Sequence, residues 1–287
     1  MVVRYGIVGC GYVGAAVAKS FRSKGFELTG TITRPERLNE LCALVDHPRI
    51  YCTGDPFADV SFFDRLDGVL IAVAPRSGHY CPHQYDLVYR QGMDALASVL
   101  RRRRSSSPLH VTYLSSAGVY GDQQGSLCDE ERPPDVSSEL NAALVSAERS
   151  VLELESSLLS CSVLRLGGIY GPNQDIPAMF RAVSGQCVSK NGDHINAWIH
   201  RDDVVRGVSF AFDRSLSGIY NLVDDLRISR RELSRVLCDA DGLPPVLWES
   251  RDRPGARVFN ASVSNGRLKS LGFQLAVPSM LEVATAC

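Results

Sequence analysis

The sequence predicts an α/β protein built on a doubly wound parallel sheet, and three observations indicate this fold. A glycine-rich loop near the start of the chain lies between an apolar segment and an amphipathic one. Strand-like and helix-like segments then alternate as far as residue 172, as in a parallel sheet with crossover helices. The segment 68–74 is apolar throughout, which is typical of a strand buried on both faces.

The first predicted strand covers residues 2–8 and is followed by the loop Gly9-Cys10-Gly11-Tyr12-Val13-Gly14. Strand, glycine loop and helix in this order suit the pyrophosphate of a dinucleotide. Gly9 permits the tight turn, Gly11 lets the backbone approach the phosphates, and Gly14 lets the helix pack closely on the strand. The N–H groups at the helix start attract the anion. We therefore expect a dinucleotide to contact Gly9, Gly11, Tyr12, Val13 and Gly14.

The second predicted strand, over residues 27–33, ends at Thr33 and Arg34. An NAD site commonly places Asp or Glu here, because a carboxylate accepts hydrogen bonds from the ribose 2′-hydroxyl and repels a 2′-phosphate. An arginine instead pairs with that phosphate through charge-assisted hydrogen bonds. Thr33 and Arg34 therefore favour NADP over NAD, with an ordinary surface arginine as the alternative.

Four more strands are predicted, around residues 49–52 and over residues 68–74, 109–115 and 162–166. Long helices over about residues 85–104 and 138–157 separate the last three. The carboxyl ends of parallel strands line the ligand crevice of such a sheet. Functional side chains are therefore expected in the loops that follow these strands.

The second part of the chain follows a looser pattern. After residue 172 the segments are shorter, and Pro, Gly and Asn are more frequent. We therefore predict a Rossmann-type dinucleotide-binding domain over residues 1–172, with returns to its sheet near residues 198–223. A smaller C-terminal substrate lobe is predicted over residues 173–197 and 224–287.

Composition argues against several classes of partner. Lys and Arg number 31 and Asp and Glu 32, for a net charge of -1, so no global field attracts nucleic acid or an anionic membrane. The basic run 101–104 ends a predicted helix, where cations complement the helix dipole. Neither a signal peptide nor an apolar run of about 20 residues is visible. We expect a cytoplasmic protein that binds neither nucleic acid nor membrane.

The nine cysteines are scattered and form no C-x-x-C pair. This usage is typical of reduced thiols in a cytosolic protein rather than of disulfides or a zinc site. His79, Cys81 and His83 alternate on one loop, but no carboxylate or second cluster supports a metal site there. No metal is therefore expected.

Five motifs together resemble the extended short-chain dehydrogenase/reductase superfamily, which includes NAD(P)-dependent nucleotide-sugar epimerases and dehydratases. They are most similar to its atypical branch, and they follow the family's order across nearly the whole chain. The motifs are the glycine loop, Ser115–Gly121, Arg165–Pro172, Ile199–Val204 and Tyr220–Asp225. The resemblance implies an NAD(P)-dependent oxidoreductase or epimerase with a small-molecule substrate such as a nucleotide sugar. It leaves open whether the chain forms a homo-oligomer.

The resemblance also implies roles for individual residues. Ala72, Val73 and Ala74 would flank the adenosine half of the cofactor, whereas Ser115 and the turn Gly167-Gly168-Ile169 would approach the nicotinamide half. Ser116 stands where the family has a catalytic serine or threonine, which hydrogen-bonds the reacting oxygen of the substrate. The alternative for Ser116 is a local bond to backbone at the strand end.

The implied substrate segment covers residues 173–196. In it Arg181 and Lys190, together with the following Trp198, are candidate phosphate or base contacts. Arg251 and Arg253 lie in a region where relatives hold a diphosphate. Arg181, Lys190 and Trp198 also have ordinary surface or core interpretations.

The family's acid–base pair is missing. In the family a tyrosine is followed four residues later by a lysine, which shares its helix face and lowers the phenol pKa towards working pH. Alignment on Ala147-Glu148 puts Leu140 at the tyrosine position and Leu144 at the lysine position. None of the 10 tyrosines is followed four residues later by a lysine.

Two hypotheses therefore remain. In the first, an oxidoreductase or epimerase uses a substitute acid–base residue, for which Tyr120, His79, Tyr80 and His200 are candidates. A histidine needs little tuning, because its ordinary pKa is about 6.5. In the second, the protein binds a dinucleotide without turnover, as a redox sensor or a partner-binding module, and the two leucines form an apolar face.

Overall fold

The alternating segments form one seven-stranded sheet in the computed structural model of the protein, which describes residues 2–55, 57–75, 81–253 and 257–284. The strands are β1 Arg4–Val8, β2 Glu27–Ile32, β3 His47–Ile50, β4 Gly68–Ile71, β5 Leu109–Ser116, β6 Asp122–Cys128, β7 Leu159–Leu166, β8 Gly168–Tyr170, β9 Cys187–Asn191, β10 Trp198–His200, β11 Gly218–Leu222, β12 Leu247–Glu249 and β13 Asn260–Val263. The central sheet has the order β11-β7-β5-β4-β1-β2-β3. Its pairings from β3 to β5 are parallel.

This order confirms the predicted doubly wound fold. The chain starts in the middle of the sheet at β1, moves outwards to β3, and then crosses to β4 and the opposite edge. All four residues of β4 are buried, as the apolar run predicts. Its strand portion is shorter than predicted, because residues 72–74 already belong to the loop.

The helices are α1 Tyr12–Ser23, α2 Leu38–Cys42, α3 Pro82–Tyr85, α4 Met93–Arg101, α5 Glu139–Leu152, α6 Ile176–Ala182, α7 Arg201–Arg214, α8 Arg230–Ala240, α9 Gly266–Ser270 and α10 Met280–Ala284. A π-helical segment, Asp86–Gly92, joins α3 to α4 and divides the single helix predicted over residues 85–104. Across the described ranges no helix combines the length and the apolar character that crossing a membrane requires.

Three pairs of short strands were not anticipated as sheets. They are β8 with β10, β9 with β12, and β6 with β13. The strand β6 is polar, and Gln124 and Gly125 inside it have φ values of 54° and 73°. Because such a segment has little strand propensity of its own, its pairing partner decides its conformation.

The chain divides into two compact units. Unit 1 comprises residues 1–115, 142–164 and 205–219. Unit 2 comprises residues 116–141, 165–204 and 220–287. Each unit is described separately below.

A buried polar row crosses the sheet within unit 1. The ring of His110 on β5 is 6% exposed and packs edge-on against Phe212 at 5.1 Å. Its Nδ1 lies 2.8 Å from Ser160 Oγ, and its Nε2 lies 2.9 Å from Thr112 Oγ1. Burial lowers the pKa of His110 to about 4, so the folded protein holds the ring neutral at neutral pH.

The depressed pKa predicts an acid-labile contribution to stability. The unfolded chain binds a proton at pH 6.5, whereas the folded chain binds one only near pH 4, so the contribution is present above pH 6.5 and is lost as the pH falls to about 4. Urea titrations measure the free energy of unfolding of wild type and of His110→Gln from pH 7.5 to 4. Over this range the wild type should lose at most about 3 kcal/mol more than the variant. The control is His83→Asn, which replaces an exposed histidine. Parallel curves for wild type and His110→Gln would contradict the assignment.

Candidate functional site

The glycine loop in unit 1 is shaped by close backbone contacts. Gly9 has φ 99°, and a Cβ there would lie 2.6 Å from the carbonyl oxygen of Ala72. A Cβ on Gly14 would collide with the carbonyl oxygen of Gly9. Glycine at these two positions is therefore required by the fold itself.

Gly11 differs from the other two glycines. Its φ is -84°, which other residues adopt, and a Cβ there would meet no atom of the protein within 4 Å. Gly11 also caps α1 without a side-chain hydrogen bond, so no capping side chain covers the backbone N–H groups with which the helix begins. Open space beside a helix start is what a bound pyrophosphate needs, so these residues fit a dinucleotide. Tyr12 and Val13 form the first turn of α1 and are half-buried.

The strand β2 anchors the loop through Thr31. The N–H of Gly9 donates to Thr31 Oγ1 at 3.1 Å, and the N–H of Cys10 donates to the Thr31 carbonyl oxygen at 2.8 Å. Burial raises the pKa of the Cys10 thiol to about 12, so this side chain is a packing element rather than a nucleophile.

Thr33 and Arg34 follow β2 and are both exposed. The Arg34 guanidinium makes no hydrogen bond or ion pair within the described ranges, so its charge is available to a ligand. One turn later, Arg37 pairs with Glu40 at 2.9 Å, and its charge also acts on Cys10 of the glycine loop. Sequence reasoning missed Arg37, since it lies beyond the strand end that the cofactor pattern specifies.

Two further predicted cofactor segments lie in unit 1. Ala72 continues from β4, and its N–H donates to the Val8 carbonyl oxygen at 2.8 Å, which holds the stretch Ala72-Val73-Ala74 beside Gly9. The Ser115 hydroxyl donates to Glu148 Oε1 at 2.6 Å, and both residues are buried. Ser115 therefore fixes β5 to α5, and its approach to a nicotinamide stays a prediction.

In unit 2, Ser116 begins the turn that follows β5. Its Oγ accepts a hydrogen bond from the Gly118 N–H at 3.1 Å, as the local alternative anticipated. The Ser116 hydroxyl makes no hydrogen bond as a donor, because the described residues offer no acceptor for its proton. Ser116 is half-buried, so it can still donate to a substrate oxygen.

Tyr120 lies in a different environment from the one expected of a catalytic acid. Its side chain is 0% exposed, and its hydroxyl oxygen lies 2.8 Å from Asn221 Oδ1 and accepts from Arg165 Nη1 at 3.0 Å. Burial raises the pKa of Tyr120, which keeps the phenol protonated. This geometry points to a structural role, because no substrate reaches a hydroxyl enclosed in this way.

The turn Gly167-Gly168-Ile169 packs against Trp198. A Cβ on Gly167 would lie 2.7 Å from backbone atoms of Trp198, and one on Gly168 would lie 2.9 Å from its ring. Close pairing of β8 with β10 therefore accounts for both glycines. Contact of the turn with the nicotinamide stays a prediction.

The other candidate acid–base residues differ in how they are placed. His200 is 9% exposed, packs on Tyr170 at 5.3 Å, and accepts from the Asp202 N–H at 3.3 Å. His79 and Tyr80 lie outside the described residues. Leu140 and Leu144 on α5 are each 4% exposed, so neither side chain offers a polar group at the place of the family's pair.

No group of three metal-ligating side chains comes together anywhere in the described ranges. Of the loop considered for metal binding, Cys81 is half-buried and His83 is exposed. The eight described cysteines are all free thiols. Of the basic run, Arg103 donates to the carbonyl oxygens of Phe63, Leu66 and Ser107, so it supports the fold.

Unit 2 also contains a cavity of about 230 Å³ whose lining is cationic. Lys190, Arg230, Arg253 and Arg257 line it, with Asp252 as the one carboxylate. Lys190 and Arg253 have no side-chain partner among the described residues, whereas Arg230 is held by Asn196 at 2.9 Å. Two predicted contacts, Lys190 and Arg253, thus face one cavity.

Other predicted contacts of the substrate lobe lie elsewhere. Arg181 pairs with Asp241, and Arg251 is exposed and outside the cavity lining. Sequence reasoning missed Arg230 and Arg257 as cavity residues. No local pattern marks them, because the cavity joins segments far apart in the chain.

Fold, loop geometry and motif order together define the class of protein. The chain belongs to the NAD dependent epimerase/dehydratase family, whose sequence pattern matches residues 7–222. This confirms the superfamily inferred from the motifs. The dependence of this family on a nicotinamide dinucleotide agrees with the dinucleotide site predicted at the glycine loop.

Individual relatives extend the similarity over most of the chain. The sequence is 26% identical to Protein YeeZ of Escherichia coli (strain K12) over 290 residues, which cover 96% of each chain. It is 30% identical over 177 residues to dTDP-glucose 4,6-dehydratase of Streptomyces griseus, covering 57% of this chain and 53% of that one. The UDP-glucose 4-epimerase of Thermus thermophilus, solved with NAD, has the same fold, with a TM-score of 0.76 at 21% identity over 99% of this chain and 97% of that one.

Gly11 and Gly14 predict different effects of the same substitution. Gly11→Ala fills open space, so we expect an unchanged melting temperature but dinucleotide binding weakened by roughly tenfold or more, about 1.4 kcal/mol, since the methyl occupies the approach of the phosphates. Gly14→Ala forces α1 away from the loop and should cost about 1–3 kcal/mol of stability. Calorimetric titration and thermal melts of both variants test this. Normal affinity of Gly11→Ala for both NADH and NADPH would rule out the predicted phosphate position.

Proposed function

We propose that the protein binds NADP at the glycine loop and acts as an oxidoreductase or epimerase on a small anionic substrate of the nucleotide-sugar type. The cationic cavity in unit 2 is the observation that most supports this substrate class. The acid–base residue differs from the family's tyrosine and lysine.

The charge of the cavity fits a diphosphate. Lys190 and Arg253 are cations without partners in the described part of the chain, and both face the cavity. Arg230 is fixed between the Asn191 carbonyl oxygen at 3.1 Å and Asp252 at 3.8 Å. Fixed and available cations around one concave space are the arrangement that binds phosphate groups in water. A nucleotide sugar, dTDP-glucose, is also named for the Streptomyces griseus relative.

The preference for NADP rests on Arg34. Its guanidinium is exposed and unpaired among the described residues, directly after the strand β2 that anchors the loop. No carboxylate follows β2 at Thr33 or Arg34 to repel a 2′-phosphate. A planar guanidinium binds a phosphate through two parallel hydrogen bonds. The ribose of NAD carries no 2′-phosphate to accept these bonds.

The chemistry proposed for the enzyme starts from Ser116. Its hydroxyl keeps a proton that can be donated to the reacting oxygen of the substrate. A bound nicotinamide supplies or accepts the hydride. His200, His79 and Tyr80 are the candidates for the substitute acid–base residue, since the Tyr120 hydroxyl is enclosed.

A second candidate function follows from Leu140 and Leu144. Both are buried apolar residues at the positions of the missing pair. In this alternative the protein binds the dinucleotide without turnover and reports redox state or recruits a partner. Cofactor binding would be retained, because the glycine loop does not depend on α5 for its geometry.

Turnover separates the two candidates. Purified protein is mixed with NADPH and a panel of carbonyl compounds and nucleotide sugars, while nicotinamide absorbance and sugar products are followed. We expect turnover of at least one anionic substrate, reduced in Ser116→Ala without loss of NADPH affinity. Binding of NADPH and of a nucleotide sugar with no turnover favours the non-catalytic alternative. Absence of NADPH and NADH binding would remove both.

The cofactor preference is tested by Arg34→Ala. Losing a charged hydrogen bond to the 2′-phosphate should weaken NADPH binding by about 1.5–3 kcal/mol and leave NADH binding nearly unchanged. Dissociation constants from calorimetry give both numbers. Arg65→Ala, which removes an exposed arginine from the segment before β4, is the matched control and should alter the affinity for neither cofactor. Equal weakening of both cofactors would mean that Arg34 does not contact the 2′-phosphate.

A further inference from the structure

A short C-terminal segment of unit 2, residues 276–281, leads into α10 and is fixed at both ends by buried carboxyl groups. At its start, the N–H groups of Ala276 and Val277 donate to the two carboxyl oxygens of Asp203 at 2.7 and 2.8 Å. Asp203 is 0% exposed, so this anchor lies in the interior of the unit. We call residues 276–281 the strap.

The end of the strap rests on Asp224. This residue is 1% exposed, and the backbone N–H of Met280 interacts with its carboxyl group. Between the two anchors, the N–H of Asp225 donates to the Pro278 carbonyl oxygen at 2.7 Å. The strap therefore covers Asp224, and displacement of the strap would expose this carboxyl group to water.

The strap also covers an apolar cluster. Tyr170, Leu233 and Leu237 are buried in this cluster together with Met280, and Val277 packs against it. The helix α10, which the strap enters, has five residues, and so short a helix has little stability of its own. Docking of the strap therefore depends on this cluster and on the two anchors, and a change at one anchor alters how often the strap opens.

The carboxyl group of Asp224 has hydrogen-bond donors but no counter-charge. The Tyr170 hydroxyl donates to its Oδ2 at 3.1 Å, and the N–H of Leu226 donates to its Oδ1 at 3.0 Å. Lys269 binds Asp225 instead, at 2.7 Å, and within the described ranges no cation pairs with Asp224. Because a buried carboxylate without a cation is costly, the docked strap favours the protonated form.

The titratable and charged groups around Asp224 come from several segments of unit 2. They are Tyr170, His200, Asp203, Asp225, Arg227, Lys269 and Glu282. Burial, and to a smaller extent the charge of Asp225, raises the pKa of Asp224 from 3.8 to about 7. The carboxyl group therefore titrates near neutral pH while the strap is docked, and at lower pH once water reaches it.

We propose that the strap is a pH-sensitive switch, in which a proton on Asp224 keeps the strap docked and loss of this proton loosens it. The inference is independent of the proposed function. Since the docked form binds the proton more tightly than the open form, the proton's contribution to docking is complete below pH 3.8. It is lost as the pH rises through about 7, and opening reaches its limit above about pH 8.

Hydrogen exchange measured by mass spectrometry tests this switch in the intact protein. Exchange of peptides that cover the strap is followed from pH 5 to 8, and each rate is divided by the intrinsic rate at that pH. Protection of the strap in wild type should fall roughly 10- to 100-fold over this range, because opening releases a proton. A peptide from β4 reports global unfolding, and its exchange should be slower at every pH.

Three variants identify the group that titrates. Asp224→Asn mimics the protonated carboxyl group, since its amide is neutral and similar in shape, so protection of its strap should not change with pH. Asp239→Asn removes an exposed carboxylate from α8 and is the matched control, with the pH dependence of wild type. In Tyr170→Phe the midpoint should move to higher pH, because the Tyr170 hydrogen bond lowers the pKa of Asp224.

Equal protection of the strap at pH 5 and pH 8 in wild type overturns the switch. A pH dependence that persists in Asp224→Asn belongs to another group and also overturns it. If Asp224→Asn does not fold, Tyr170→Phe decides, and an unchanged midpoint in that variant contradicts the assignment to Asp224. Strap exchange as slow as that of β4 would mean that the strap opens only when the whole protein unfolds, which leaves no switch.

Discussion

One buried hydroxyl, that of Tyr120, is the point at which three segments of unit 2 meet. It lies 2.8 Å from Asn221 Oδ1, and Arg165 donates to it while the Arg165 guanidinium stands over the phenol ring at 5.0 Å. The amide of Asn221 is itself fixed, since its Nδ2 donates to the Ser264 carbonyl oxygen at 3.0 Å. A guanidinium that is 2% exposed is tolerated only with such partners, because an unpaired buried charge is very costly. Three separate chain segments are therefore locked to one another by a single satisfied network.

This network gives several motif residues a structural role that does not depend on catalysis. Tyr120, Arg165 and Asn221 each belong to a different motif, and all three meet in one hydrogen-bonded network within unit 2. Asp203, from a fourth motif, accepts from the N–H groups of Ala276 and Val277 at 2.7 and 2.8 Å. These residues are under structural constraint whatever reaction occurs. Leu140 and Leu144, at the positions where the resemblance predicts the acid–base pair, are buried as apolar side chains.

The sequence predicts most accurately where a local pattern has a local cause. The apolar run over residues 68–74 indicates a strand buried on both faces, and β4 forms there with all four of its residues buried. The spacing of Gly9 and Gly14 reflects close backbone contacts, and these contacts are present in the loop before α1. Tyr120 shows the limit, since a motif residue beside a catalytic position was expected to act on substrate and instead lies within the core. The contact between Asn141 and Arg257 was beyond prediction, because it joins residues 116 positions apart that no pattern relates. Pairing of the polar strand β6 with β13 has the same long-range cause.

Within the glycine loop, structural and functional constraints separate residue by residue. Gly9 needs its positive φ, and Gly14 needs its missing Cβ, so both would be glycine in a protein that bound nothing. Gly11 has neither requirement, since its φ is -84° and a Cβ there would meet no atom of the protein within 4 Å. A glycine that no contact among the described residues requires leaves room for a group that approaches from outside. Gly11 is therefore the position in the loop that leaves space for a ligand, and the backbone N–H groups at the start of α1 would suit an anion there.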